Sequence, residues 1–369
     1  MNRKALLFQP FQAGSLQLKN RMVFAPFETN YATEGSYPTE RHVSFYERVA
    51  AGGVGLIIME AVNVNPEMIA TKYGMGLTAD KYIDSFKRMV ERIHRHGTPV
   101  VLQIADKSLL NTHRTPEDLS QDEIYRLMDY FVKTTQRAQK AGLDGVEYHG
   151  CHLYTLADFM SRENTRKDEF GKGLEGRMKM SKEILERARG LVGKNFALLF
   201  RINGDEFIPG ANTLKDAMEI AKELEGMGCE VIDVSAGGRI EKWWAKMESG
   251  KWGGWSMSYS GSRAIPSQAF PDAANIYLAE GIKKVVSIPV IGAGKIGHAA
   301  LAEELLQEKK ADLIGLGRSI FADPEFPAKS REGREKEITR CTWCNHCHKV
   351  YTEDKPVECL LWPKEGERI

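Results

Sequence analysis

The sequence lacks a long apolar run at its N-terminus, where a short apolar patch is interrupted by Gln9 and Pro10. Such a patch is too little for a signal peptide or a membrane span. Charge of one sign is also lacking, because the formal net charge is only +1. We therefore expect neither nucleic acid nor an anionic membrane as a partner.

Cysteine is scarce over most of the chain, where Cys151 and Cys229 stand far apart. Isolated cysteines indicate no disulfide framework, and we expect a reducing, cytoplasmic environment. Low-complexity stretches and flexible linkers are lacking as well, so no clean domain boundary is expected before residue 330. We predict one large domain over residues 1–330 and a short Cys-rich extension over residues 331–369.

Short apolar runs alternate with amphipathic helical patterns along this large domain. Each run is rich in Val, Ile and Leu, as expected of strands buried on both faces. The runs are 21–26, 54–60, 99–104, 143–149, 196–202, 230–235, 288–292 and 312–317. The helical patterns include 81–96, 121–141, 177–192 and 214–227. Eight strand–helix units in series favour a (β/α)8 TIM barrel over the competing doubly wound sheet.

Polar or glycine-rich residues follow the predicted strands, as the active-site loops of such a barrel require. The residues from Gly292 to Gly297 form a literal GxGxxG, but this dinucleotide fingerprint is weak here because it follows six other units. In a barrel, the loops after strands seven and eight bind phosphate through backbone N–H groups. The residues predicted to form this site are Gly292, Gly294, Lys295, Gly317 and Arg318. Two tight turns with a solvated Lys and Arg are the alternative.

Four of the six cysteines lie within nineteen residues at the C-terminal end: Cys341, Cys344, Cys347 and Cys359. Three thiolates at intervals of three, closed by a fourth, are typical of iron–sulfur ligation. Zinc is an alternative because His346 and His348 lie among them, and a disulfide pair is a third. The spacing favours a cluster.

His149 and His152 lie three residues apart just beyond a predicted strand, so their side chains can converge on one small atom. From the residues alone, a metal site or buried core histidines would explain the pair about as well as catalysis. The segment 145–154, with Tyr154, resembles the old yellow enzyme family of FMN oxidoreductases. Further residues resemble the same family: segment 164–171 with Arg177, Ala25-Pro26, Gln103, Arg201 and segment 315–324. The terminal cysteines are similar to those of its iron–sulfur branch, typified by 2,4-dienoyl-CoA reductase, 2-enoate reductase and trimethylamine dehydrogenase.

The resemblance implies FMN across the barrel mouth, with its phosphate in the loops named above. Gln103 would then bind the pyrimidine edge, and Arg201 would place a positive charge beside the reduced ring. Residues implied to contact the ring are Ala25, Pro26, Phe27, Thr29 and Ala61, although packing within the barrel explains Ala61 equally well from the residues alone. His149 and His152 would bind the substrate's carbonyl oxygen, and Tyr154 would donate a proton to its α-carbon.

Two stretches depart from the family or are unusual for it. After Gln103 the family commonly continues with a His, whereas Ala105-Asp-Lys107-Ser follow here. The loop after the sixth strand is rich in tryptophan over residues 243–259. We favour a lid over a self-packed loop or an oligomer contact for this loop.

These features predict an FMN and [4Fe–4S] enzyme that reduces the C=C bond of an α,β-unsaturated carbonyl or enoyl thioester. The family branch usually continues into a flavin and pyridine-nucleotide module, whereas this chain ends ten residues after Cys359. We therefore expect a separate electron-transfer protein or NAD(P)H-oxidising flavoprotein subunit as a partner. Assembly into a homo-oligomer is a further possibility. Dehydrogenation of a methylated amine is the alternative, supported by Tyr351 and the tryptophans. A non-catalytic electron-transfer subunit is the third reading, against which the His149, His152 and Tyr154 set argues.

Overall fold

The computed structural model describes residues 5–68, 71–152, 154–238 and 258–363. A hairpin near the N-terminus joins the antiparallel strands β1 (Phe11–Ala13) and β2 (Leu16–Leu18). Its turn contains Gly14, whose φ of +59° is a conformation that glycine adopts without steric cost.

Eight parallel strands follow and close into a barrel in chain order, with the last strand paired to the first. They are β3 (Met22–Phe24), β4 (Leu56–Asn63), β5 (Val100–Ala105), β6 (Gly145–Gly150), β7 (Ala197–Asn203), β8 (Val231–Ser235), β9 (Val290–Ala293) and β10 (Leu313–Gly315). Every predicted strand is present, with ends shifted by at most three residues. The predicted (β/α)8 barrel is confirmed.

Helices lie between the strands and beyond the last one. They are α1 (Glu40–Ala51), α2 (Ile83–His94), α3 (Ser108–Thr112), α4 (Gln121–Lys140), α5 (Thr155–Met160), α6 (Gly173–Val192), α7 (Leu214–Gly226), α8 (Tyr259–Ala264), α9 (Ile276–Lys283), α10 (Ala299–Gln307), α11 (Gly317–Ala322), α12 (Phe326–Glu332) and α13 (His346–Thr352). The helix α4 begins where a capping box fixes it, because Ser120 and Glu123 each accept a hydrogen bond from the other's backbone N–H. Within the described ranges, no helix has both the length and the apolar content needed to cross a membrane.

The hairpin closes the amino end of the barrel. Leu16 and Leu18 of β2 form one apolar cluster with residues near the amino ends of the barrel strands, such as Leu56 and Leu199. A second and larger apolar layer lies between the barrel and its helices. The carboxyl ends of the strands remain the end at which a ligand can enter.

Polarity increases along the inside of the barrel from its amino to its carboxyl end. On β7, Leu199 belongs to the apolar interior cluster. Side chains two residues apart on a strand share a face, so Arg201 and Asn203 point inward above Leu199. The neighbouring strands contribute the polar residues Gln103, Glu147 and Asp233: Gln103 pairs with Glu147 across β5 and β6, and Arg201 pairs with Asp233 across β7 and β8. The barrel thus carries a polar layer directly beneath its open end.

The C-terminal segment folds back onto the loop that follows β3. The backbone N–H of Val357 donates to the carbonyl of Thr29 at 2.8 Å, and the Tyr31 hydroxyl donates to the carbonyl of Val357 at 2.5 Å. The Asn30 amide donates to the carbonyl of Tyr351 at 2.9 Å and to that of Lys355 at 3.1 Å. These bonds place α13 beside the carboxyl end of the barrel.

Candidate active site

The structure brings the three predicted catalytic side chains together at the end of β6. The ring centroids of His149 and Tyr154 are 4.0 Å apart, and those of His149 and His152 are 5.1 Å apart. His149 lies within the strand, whereas Tyr154 is the residue directly before α5. Two imidazoles and one phenol therefore face a common volume.

The β8 loop holds His152 in place. His152 has a φ of +60°, which is uncommon for a residue with a side chain and is often found at functional sites. Its Nε2 lies 2.8 Å from the Ser235 Oγ, at the end of β8. A Cβ atom at Gly238 would lie 2.6 Å from the His152 Cδ2, so glycine is required at that position for the ring to fit.

Burial sets the protonation of this group. Burial, with the nearby charges of Arg201 and Lys107, lowers the pKa of His152 to about 3. The pKa of His149 is also well below its ordinary value, mainly because the ring is buried. Burial raises the pKa of the Tyr154 phenol. At neutral pH the site therefore contains two neutral imidazoles and a protonated phenol.

A polar layer lies next to these residues, as an isoalloxazine ring would require. The Arg201 Nε lies 3.2 Å from the Asp233 Oδ2, and the Gln103 amide donates to the Glu147 Oε1 at 2.7 Å. Both side-chain polar atoms of Asn203 are buried without a hydrogen-bond partner in the described part of the chain. Unpaired buried amide atoms above a fixed guanidinium fit a polar ligand at the barrel mouth, and a flavin is such a ligand.

The predicted ring contacts lie in two environments. Ala25 and Ala61 are nearly buried at the strand ends, whereas Pro26 is partly exposed. The Phe27 ring stacks on Phe321 with centroids 4.1 Å apart. The Thr29 hydroxyl is buried and donates to the Glu60 Oε1 at 2.7 Å, so it belongs to a hydrogen-bond network behind the loop.

The two predicted phosphate-binding cations make contacts within the protein. The Lys295 ammonium donates to the carbonyl of Phe270 and lies 3.5 Å from the Asp272 Oδ1. The Arg318 guanidinium donates to Asn345 and lies 4.7 Å above the Trp343 ring, in the C-terminal segment. These contacts leave the glycine backbone as the accessible part of the predicted phosphate loops.

The glycines of these loops have different surroundings. A Cβ at Gly292 would lie 2.5 Å from the Ile276 Cδ1, so this glycine is needed for close packing against α9. Gly294 has a φ of +114°, which favours glycine. A Cβ at Gly317 would meet only the Ala25 Cβ, at 3.9 Å. The space next to Gly317, at the start of α11, is therefore not filled by neighbouring atoms.

The four terminal cysteines line one recess. Its other walls include Arg318, Phe321, Asn345 and Leu361. In the described ranges, His149, Cys151 and His152 are the one group of three or more ligand-type side chains whose ligand atoms all lie within 4.8 Å of one another. No three of the terminal sulfur atoms meet that distance, although all four face the same recess.

The structure adds Lys107 and Glu28, which were not assigned a role from sequence, and brings Tyr351 next to them. The Lys107 Nζ lies 5.1 Å from the Tyr154 ring centroid, 3.4 Å from the Tyr351 Oη and 3.9 Å from the Glu28 Oε1. The position of Lys107 just beyond a buried strand was the available signal. Residues 243–257 of the tryptophan-rich loop lie outside the described residues, so the lid prediction remains a prediction.

Comparisons with known proteins identify the class. The chain matches the NADH:flavin oxidoreductase / NADH oxidase family over residues 6–109 and 105–337. It is 36% identical over 363 residues to an NADH oxidase of Thermoanaerobacter brockii, a match that covers 92% of this chain and 52% of the relative. An N,N-dimethylglycine/sarcosine dehydrogenase of Chromohalobacter salexigens is 30% identical over 378 residues, which cover 96% of this chain and 52% of that protein.

A solved structure of 2-naphthoyl-CoA reductase with 2-naphthoyl-CoA matches with a TM-score of 0.86 and 23% identity, over 98% of this chain and 57% of that one. At this identity the match shows the fold. The chain belongs to the NADH:flavin oxidoreductase / NADH oxidase family. The predicted old yellow enzyme relationship is confirmed, and the family supports FMN as the flavin. The chain spans about half the length of the curated relatives named above.

Proposed function

We propose that this protein reduces the C=C bond of an α,β-unsaturated carbonyl compound or enoyl thioester. The observation that carries the proposal is the convergence of two neutral imidazoles and a protonated phenol at the end of β6. When bound, FMN supplies the hydride for the β-carbon of such a substrate. The protein's own task is then to polarise the carbonyl group and to deliver one proton.

His149 and His152 have the position and charge state for carbonyl binding. Neutral imidazoles donate N–H groups without carrying a full charge into a buried site, and preorganised donors stabilise an oxygen that becomes negative. The bond between His152 and Ser235 fixes the orientation of one ring. We assign the pair to the substrate's carbonyl oxygen.

Tyr154 is assigned as the proton donor for the α-carbon. A general acid must hold its proton at the working pH and lie within reach of the reacting atom. Burial keeps the Tyr154 phenol protonated, and its ring lies directly against His149. A carbonyl held by the histidines would therefore place its neighbouring carbon next to the phenol.

FMN would be held by residues on several strand ends. Gln103 and Arg201 are the assigned partners of the polar ring edge, because one is a buried amide and the other is a fixed guanidinium. The ring contacts assigned from the resemblance are Ala25, Pro26, Phe27, Thr29 and Ala61. Of the assigned phosphate residues, which are Gly292, Gly294, Lys295, Gly317 and Arg318, we place most weight on the backbone at Gly294 and Gly317.

We also propose that Cys341, Cys344, Cys347 and Cys359 bind a [4Fe–4S] cluster, which passes electrons singly. Zinc requires sulfur atoms about 3.8 Å apart, as follows from a tetrahedron with Zn–S bonds of about 2.3 Å. The four terminal thiols line one recess, and their spacing along the chain favours a cluster over zinc. Residues 331–369 then form a cluster-binding extension, and a separate flavoprotein or electron-transfer protein supplies the electrons.

Oxidation of a methylated amine is the second candidate. It is favoured by the 30% identity to the N,N-dimethylglycine/sarcosine dehydrogenase and by the aromatic Tyr351 near the site. The Lys107 ammonium lies 5.1 Å from the Tyr154 ring and would repel a cationic amine. We therefore rank C=C reduction first.

An anaerobic half-reaction tests the proposal. Protein purified without oxygen is reduced with dithionite and mixed with enones or enoyl thioesters, while the flavin absorbance is followed. We expect rapid reoxidation, slowed by about 10²–10⁴-fold in Tyr154→Phe, which is the range for loss of a general acid.

Tyr125→Phe is the matched control, because the Tyr125 side chain is exposed on α4, and it should leave the rate unchanged. Bleaching of the oxidised protein by methylated amines, without reoxidation of the reduced protein by enones, would instead support the amine dehydrogenase. Reoxidation that is equally fast in Tyr154→Phe would overturn the assigned proton donor.

A further inference from the structure

Lys107 is a buried cation at the junction of four loops and helices. Its side chain is 9% exposed, and it follows β5 directly. Around its ammonium lie Tyr154 from the β6 loop, Glu28 from the β3 loop and Tyr351 from α13. The residue thus connects the assigned proton donor with the cysteine-bearing C-terminal segment.

The partners of Lys107 do not make a strong ion pair. Its nearest carboxylate oxygen, on Glu28, is 3.9 Å away, which is beyond hydrogen-bond length. Burial raises the pKa of the Glu28 carboxyl to about 7, so at neutral pH it neutralises the ammonium only in part. A buried charge without a close counter-ion destabilises the folded protein. Such a residue is expected where the charge contributes to function.

The Tyr154 phenol is the group on which this charge acts. Burial raises the pKa of that phenol, and the Lys107 ammonium is the largest influence in the opposite direction. The other charged or titratable side chains that act on the phenol or lie near it are His149, Cys151, His152, Arg201, Glu28 and Tyr351. Lys107 is the cation among them that lies directly over the Tyr154 ring.

We propose that Lys107 is a positioning residue that holds the Tyr154 phenol and stabilises the phenolate left after proton transfer. This inference rests on the proposed reduction of a C=C bond. The phenolic proton leaves the Tyr154 oxygen for the substrate's α-carbon, and the Lys107 ammonium keeps its own proton and stabilises the phenolate by its charge. Solvent then returns a proton to the phenolate, so the net change is one proton taken from water.

A double-mutant cycle on the complete, flavin-loaded protein tests this role. Lys107→Met should slow reoxidation of the reduced flavin by an enone about 10- to 100-fold, because a cation at this distance shifts a neighbouring pKa by about one to two units. The alkaline limb of the pH–rate profile should move to higher pH. Lys107→Arg keeps the charge and should restore most of the rate.

The effect must depend on Tyr154. In a Tyr154→Phe background, Lys107→Met should change the rate less than twofold, since there is no phenolate left to stabilise. An equal loss in both backgrounds would show that Lys107 has only a structural role. Lys283→Met is the matched control, because Lys283 also pairs with a carboxylate, that of Asp312, but next to β10 at the amino end of the barrel.

A second readout does not depend on turnover. Titration of the ultraviolet absorbance of tyrosinate should show one phenol that disappears in Tyr154→Phe and ionises at higher pH in Lys107→Met. If enones and enoyl thioesters fail to reoxidise the wild-type protein, the proposed function fails, while this titration still tests the pairing. Identical titrations of the wild type and Lys107→Met would refute the role of Lys107.

Discussion

The buried carboxylate of Glu60 anchors the loop that carries Glu28 and Thr29, and its removal makes a quantitative test. Glu60 is fully buried within β4. It accepts hydrogen bonds from the Thr29 backbone N–H at 3.1 Å, the Thr29 hydroxyl at 2.7 Å and the Tyr46 hydroxyl at 3.3 Å. The His42 Nε2 lies 3.2 Å away. Four polar atoms therefore contact the Glu60 side chain.

Glu60→Ala would remove the acceptor of the Thr29 backbone N–H and of the Tyr46 hydroxyl, whereas the Thr29 hydroxyl and the His42 Nε2, 3.1 Å apart, remain within hydrogen-bond distance of each other. Each unsatisfied buried donor costs about 1–3 kcal/mol. We expect a total loss of about 3–6 kcal/mol from the free energy of unfolding, which is a large share of the usual stability of about 5–15 kcal/mol. Such a loss corresponds to a melting temperature lower by roughly 4–8 °C in a protein of this size.

Thermal unfolding followed by circular dichroism measures this change. Glu60→Gln keeps one acceptor oxygen and the side-chain shape, so it should lose about half as much. Glu219→Ala is the surface control, because Glu219 is 51% exposed and pairs with Lys222, and such pairs contribute about 0–1 kcal/mol. A melting temperature of Glu60→Ala within about 1 °C of the wild type would refute the anchoring role, since it corresponds to about 1 kcal/mol or less.

Two further predictions concern pH and iron. The pKa of His152 lies near 6.5 in the unfolded chain but at about 3 in the folded protein. Between these pH values the unfolded state binds more protons than the folded state. The free energy of unfolding should therefore fall as the pH drops from 6.5 towards 3. The slope contributed by this residue is up to about 1.4 kcal/mol per pH unit, and urea unfolding at several pH values should show a smaller slope in His152→Asn. Cys347→Ser should lose the iron bound by the wild type, as measured by metal analysis, whereas Cys229→Ser, at a buried thiol remote in sequence from the cysteine-rich segment, should retain it. Zinc in place of iron in the anaerobically purified wild type would contradict the cluster.

The barrel could be predicted because its strands are buried on both faces. A run such as 196–202 has few alternatives to a buried strand, and the observed β7 (Ala197–Asn203) differs by one residue at each end. The hairpin of β1 and β2 was missed because each strand has three residues, too few for a period of two to be recognised.

The candidate site was predictable where its residues lie close together in sequence. His149, His152 and Tyr154 occupy one loop, so their convergence follows from local geometry. The surroundings of Lys107 depend on how α13 packs against the β3 loop, which no local pattern contains. The directions of Lys295 and Arg318 were unpredictable for a similar reason, because their partners lie on other segments.

The bonds between the β3 loop and the C-terminal segment also constrain the order of assembly. Tyr31 and its acceptor Val357 are 326 positions apart in the chain. At synthesis rates of about 5–20 residues per second, the loop leaves the ribosome roughly 15–65 s before its partner. The wall of the site that carries Tyr351 therefore forms late, and the environment of Lys107 is completed only after translation has passed this point. Until the C-terminal segment has been synthesised, the carboxyl end of the barrel would remain exposed to solvent on this side.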